Sequence, residues 1–166
     1  MSFDPRSYSS PVYTALFQLR KQYDGAVKDG KINVDEYKKH LQEQKSQAQE
    51  LYSYLSTWGL LRLKGEELSL NKWHGQNPEE IDIEKRAVKS QEGRREIVEQ
   101  FFQCLDTISK KRDLAGKDGI QTLTQQQTKI EDYLGLTGIA LEVAKEFSFW
   151  ANTVYYDIKA GANNDA

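Results

Sequence analysis

Hydrophobic residues recur along this chain at intervals of three and four, and those intervals divide it into helices. The first run is Val12, Leu16, Leu19, Tyr23 and Val27. Ser10-Pro11 opens it: a hydroxyl to cap free amides, then a proline whose missing N–H costs nothing at the first helical position. The Asp29-Gly30 turn closes it, and residues 1–8 read as an arm. Asn33-Val-Asp-Glu36 has the form of a capping box. The helix it opens sets Tyr37, Leu41, Ala48, Leu51, Tyr52 and Leu55 on one face, against Lys38, Glu43, Lys45 and Gln49 on the other. This helix is expected to continue through residues 58–63, bending at Gly59, and to end at Gly65. Residues 66–93 lack a clear period, although Asn77-Pro78-Glu79-Glu80 signals a short helix reaching about Val88. After Gly93, the residues Ile97, Val98, Phe101, Phe102, Leu105 and Ile108 form a strong stripe, which stops at Ala115-Gly-Lys-Asp-Gly119.

The last run is different. Thr124-Gln-Gln-Gln127 reads as another capping box, opening a helix that extends to about Lys159 before a tail that frays over 161–166. Within it Leu134, Ile139, Leu141, Ala144, Phe147, Phe149, Trp150, Val154 and Ile158 cover most of the helix circumference. A helix apolar nearly all round is either central to a bundle or packed against partner chains. Glu142, Lys145, Glu146 and Asp157 make it a poor membrane span. The pattern predicts an all-α protein: a single domain over 1–166, a helical bundle of four long helices plus one or two short ones.

Composition narrows this only slightly. The chain has 166 residues, is 38% hydrophobic and 29% charged, and has only 3 prolines, a mix that favours helices. A net charge of -2 gives no global field of the kind that marks a nucleic-acid protein. One cysteine, Cys104, excludes an internal disulfide and fits a reducing cytosol. The first residues show no basic stretch followed by an apolar run, so no signal peptide and a cytoplasmic location are expected.

Catalytic signals are thin. The only histidines are His40 and His74, and there is neither a Gly-x-Ser-x-Gly turn nor a phosphate-cradling glycine loop. Cys104, between Phe102 and Leu105, reads as a buried inert thiol. A di-iron bundle needs Glu-x-x-His twice, whereas Glu36 and His40 are four apart and His40 follows Lys38-Lys39, where a solvated histidine is expected. No enzyme activity, metal or cofactor is expected. Positive charge gathers in three places: Arg62 and Lys64; Lys85, Arg86, Lys89, Arg94 and Arg95; and Lys110, Lys111 and Arg112, with Lys117. Cations at helical spacing can follow a phosphate backbone without reading sequence, which makes these candidate RNA contacts. Glu84, Glu92, Glu96 and Asp113 among them fit the alternative, a solvated helix surface. Tyrosine is abundant, and Tyr8, Tyr13, Tyr54, Tyr133, Tyr155 and Tyr156 do not all fit on core stripes. Surplus aromatics suggest a protein interface, for which Trp73, Tyr155 and Tyr156 are the candidates, or a surface for stacking unpaired bases. Trp58, Phe101, Phe147 and Trp150 are expected in the core.

Two segments carry a family resemblance. Tyr54-Leu-Ser-Thr-Trp-Gly-Leu-Leu-Arg-Leu63 bears an x-x-x-Gly-Leu element, and Tyr133-Leu-Gly-Leu-Thr-Gly-Ile-Ala-Leu-Glu142 with Phe149-Trp150-Ala151 bears Leu-Thr-x-x-Ala-Leu…Trp. Together they resemble the small all-helical subunit of type III CRISPR effector complexes, particularly the Cmr type. The resemblance implies a non-catalytic bundle that stacks head to tail with copies of itself beside the subunits carrying the crRNA. Basic surfaces would help to hold the guide–target duplex. The matching positions, Gly59, Leu60, Leu136, Thr137, Ala140, Leu141 and Trp150, look structural. Ala151-Asn152-Thr153 stands where the pattern has basic residues, and segment 66–95 is longer than the pattern. The expectation is a non-catalytic effector subunit whose partners are other effector subunits, copies of itself and, through the assembly, crRNA and target RNA. A helical adaptor that binds only protein is the alternative, and a di-metal bundle enzyme is third.

Overall fold

The computed structural model describes residues 4, 6–71, 92–111, 113–116, 118–125 and 129–159. Among them are six helices and no strand: α1 (Arg6–Lys28), α2 (Val34–Trp58), α3 (Leu60–Asn71), α4 (Glu92–Ser109), α5 (Gly119–Thr124) and α6 (Ile130–Val154). Four are long, as the hydrophobic pattern predicts, and the protein is an all-α bundle.

Several boundaries differ from those read in the sequence, each for a local reason. α1 begins inside the expected arm because Asp4 caps it: its carboxylate accepts from the Arg6 amide at 3.0 Å and its carbonyl from the Ser7 amide at 2.9 Å. Pro11 therefore lies within the helix. Asn33 does cap α2, accepting from the Glu36 amide at 2.8 Å. Gly59 ends the helix rather than bending it, since its φ of 86° leaves the helical region while its amide still donates to the Leu55 carbonyl at 3.0 Å. α3 starts one residue later and runs through Gly65, which lowers helix propensity but stays in helical conformation. Thr124 closes α5 instead of capping α6, its hydroxyl donating back to the Ile120 carbonyl at 2.7 Å. α6 starts at Ile130, with Glu131 and Asp132 in the first turn suiting the positive end of its dipole.

Cross-helix pairs fix the directions. Ser9 meets Glu146, Tyr13 meets Trp150 and Arg20 meets Asp157, so α1 and α6 run parallel. Gln49 meets Asn152 and Lys45 meets Ile158, so α2 is antiparallel to α6. α4 packs antiparallel to α1, with Glu96 against Tyr23 and Cys104 against Pro11, and lays Phe101 on Phe147 of α6. Leu16, Tyr23, Leu41, Leu51, Phe101, Phe102 and Phe147 form the fully buried centre. The free carbonyls at the end of α6 are covered by cations: Arg20 donates to the Val154 carbonyl at 2.6 Å, and Lys45 to Tyr155 and Ile158 at 3.0 and 2.6 Å. Trp58, expected in the core, is 52% exposed, because it is the last residue of α2 and sits outside the break at Gly59. Among the described residues no helix is long and apolar enough to cross a membrane.

Candidate association surface

α6 packs on α1, α2 and α4 through Leu136, Ala140, Val143, Ala144, Phe147, Ala151 and Val154. Its opposite face is open and still carries large apolar side chains. Ile130 is 73% exposed, Leu134 61% and Phe149 62%. The same side of the helix carries the exposed carboxylates Glu131 and Asp132 in its first turn and the ion pair of Glu142 with Lys145, 3.1 Å apart and both half-exposed. The apolar band widens onto the neighbouring helices. Phe149 packs edge-on against Trp150 at 5.0 Å, Trp150 against Tyr13 at 5.1 Å, and Tyr13 stacks on Phe17 at 5.7 Å between centroids. The Lys21 ammonium covers the far end of this row, 5.1 Å from the Phe17 ring. Glu146 anchors the row from below, accepting from the Trp150 indole and the Ser9 hydroxyl at 3.1 Å each. On the other flank Lys145 lies 5.5 Å above the ring of half-exposed Tyr52. Exposed apolar surface on this scale gains free energy when covered, at roughly 25 cal/mol per Å².

The sequence-predicted sites distribute unevenly. Lys64 is fully buried: its ammonium lies 2.6 Å from Glu67 and 2.9 Å from the Gly116 carbonyl, over the Phe102 ring at 4.0 Å. Burial pulls its pKa down against the pull of Glu67. Arg95 is buried between Glu92 at 2.5 Å and Glu99 at 2.8 Å. Arg94 is half-buried, ion-paired with Glu66, and 6.0 Å over the ring of Tyr54, whose hydroxyl pKa burial pushes up to about 12. All three are held by carboxylates, and Lys64 and Arg95 are turned inward from the middle of α3 and the start of α4. Arg62 is exposed and spreads over the exposed Trp58 ring at 4.7 Å. Lys110 is exposed and Lys111 half-buried, where the chain leaves α4 with a φ of 58° at Lys110. Tyr155, expected at an interface, is fully buried in the single chain: it turns inward just past α6 and its hydroxyl donates to Gln44 at 2.8 Å. Tyr156 is 78% exposed, with the Arg20 guanidinium 5.9 Å from its ring. Lys85, Arg86, Lys89, Arg112, Trp73 and His74 lie outside the described residues.

The polar groups that the sequence concealed are internal. Glu96 accepts from the Tyr23 hydroxyl at 2.5 Å and from the Gln44 amide at 3.3 Å, and Gln44 accepts in turn from Tyr155. His40, expected in solvent, is buried beside them with its ring 4.9 Å from that of Tyr23 and Nδ1 3.9 Å from Glu96. Burial holds its pKa below the usual histidine value. The cluster ties α1, α2, α4 and the turn after α6 together, a packing role. The Cys104 thiol is buried, its pKa pushed up to about 12, with Sγ 3.6 Å from the Pro11 carbonyl. Among the described residues no group of three His, Cys, Asp or Glu could hold a metal ion. Comparison with protein-family models, curated proteins and solved structures gives no match.

Proposed function

We propose that this protein acts by association rather than by chemistry, as a helical module whose working surface is the outward face of α6 with its flanks on α1 and α2. The observation that carries the reading is the continuous row Phe17, Tyr13, Trp150 and Phe149, exposed at both ends although the core beneath is filled. Amphipathic rings on an open face are what protein interfaces use as anchors. The ion pairs that hold Lys64, Arg94 and Arg95 favour protein over nucleic acid as the partner, since each of these cations already has a carboxylate counter-ion. The test is recovery of the tagged full chain from its native host, as wild type, Phe149→Asp, Tyr13→Asp and the off-face control Trp58→Asp. Proteins lost with the first two variants and kept by the control support the reading. The same proteins bound by all four chains refute it.

A second reading, the RNA-guided effector subunit implied by the resemblance, is favoured by one observation. Arg62 is exposed and lies over the exposed Trp58 ring, an arrangement suited to phosphate and unpaired base. Guide RNA in the same recovered material, lost on Arg62→Glu, would select this reading. Its absence from all samples would exclude it.

A further inference from the structure

The outward face of α6 is self-complementary, and we infer that its occupant is a second copy of the same face, antiparallel, about a two-fold axis between Val143 and Ala144. This deepens the association reading and rests on it. The positions that such a helix pair would bring together are Gly135, Gly138, Glu142, Lys145, Phe149 and Asn152, spaced alternately by three and four as in left-handed helix packing. All six are exposed. An antiparallel two-fold pairs Glu142 with the other copy's Lys145, and Lys145 with its Glu142, so each charge meets its opposite twice. It pairs Gly138 with the other Phe149, and Gly135 with the other Asn152. A Cβ added at Gly135 or Gly138 would meet nothing within 4 Å, so at these two positions the helix backbone lies bare and open to close approach. The Phe149 ring, 62% exposed, can lie flat on that bare backbone. Glycine in the middle of an exposed helix costs stability and packs against nothing in the single chain, whereas close approach of a second helix gives it a use.

The test is sedimentation of the full chain across a concentration series, with folding of each variant checked by circular dichroism. The wild type is expected to pass from monomer to dimer. Lys145→Glu and Glu142→Lys each set like charges opposite one another twice, and each should raise the dimer Kd by about tenfold or more. An equimolar mixture of these two variants should recover the dimer as a mixed species, since one face is then wholly acidic and the other wholly basic at the axis. Gly138→Leu improves helix propensity and should leave the monomer intact while abolishing the dimer. A dimer indifferent to all three changes, variants that fail to associate on mixing, or assembly that grows beyond two copies overturns the two-fold. A wild type that stays monomeric, but whose partner proteins are lost with Phe149→Asp, overturns self-pairing and leaves the association reading standing. A monomer indifferent to Phe149→Asp in both assays overturns both.

Discussion

Lys64→Met is the substitution that best separates a structural lysine from a surface one. The ammonium and the Glu67 carboxylate are both fully buried and 2.6 Å apart, and the ammonium also bonds the Gly116 carbonyl and lies over Phe102. Methionine fills the same volume but leaves Glu67 charged without its main counter-ion, with Glu99 and Asp106 acting on the same spot. Breaking a buried pair in this way costs roughly 3–5 kcal/mol. Against a total stability of roughly 5–15 kcal/mol, that lowers Tm by on the order of 10 °C in a protein of this length. Removing both charges is a different perturbation, because an apolar pair of similar volume is often neutral or stabilising. The double variant Lys64→Met/Glu67→Met should therefore melt above Lys64→Met alone. Thermal and urea unfolding of wild type, both single variants and the double variant, followed by helical circular dichroism, completes the cycle. A Lys64→Met protein that melts with the wild type would refute the buried pair and return Lys64 to the surface, where the charge pattern first placed it.

The remaining predictions concern the same interior. His40 has a folded-state pKa below its ordinary 6.5, so the unfolded chain takes up the proton first; stability is full above 6.5 and falls as pH drops below it. His40→Gln should flatten the Tm difference between pH 7.5 and 5.5, measured in matched salt. Gly93→Ala sets a methyl 2.6 Å from the Glu43 Cβ and 2.7 Å from the His40 carbonyl, and Gly119→Ala sets one 2.2 Å from the Leu114 carbonyl. Each should cost about 1–3 kcal/mol in urea unfolding, whereas Gly135→Ala should be neutral or stabilising by up to about 1 kcal/mol. Cys104, with its thiol pKa near 12, should react with a disulfide reagent only at the rate of unfolding, so adding urea should release it.

The long helices were legible because their buried stripes are complete: Val12, Leu16, Leu19 and Tyr23 in α1, or Ile97, Val98, Phe101, Phe102 and Leu105 in α4, match the helical period without gaps. What misled was charge. Lys64 and Arg95 are indistinguishable in sequence from surface cations, and their burial depends on Glu67, Glu92 and Glu99 being folded onto them. Thr124 and Gln127 satisfy the spacing of a capping box, yet α5 ends there. His40 follows two lysines, and that local context hid its helical register. It lies on the inward side with Leu41 and Gln44, next to α4, and a stripe count that admitted polar residues would have included it. The open face of α6 was visible in outline, since a helix apolar nearly all round has more apolar surface than three neighbours can cover.

The parallel pairing of α1 with α6 has a consequence for the order in which the chain becomes a structure. Ser9 and Glu146 are 137 positions apart, as are Arg20 and Asp157. The part of the seat of α1 that α6 supplies is therefore missing while the intervening helices are made, and loop closure over that distance has to precede the contacts that reward it. α2 and α4 can pair earlier, through Gln44 and Glu96, which are 52 apart. Until α6 arrives, Val12, Leu16 and Leu19 have only part of their cover, so a nascent or refolding chain passes through a species with a sticky first helix. Refolding yield should fall with chain concentration more steeply than the small size of the bundle alone implies.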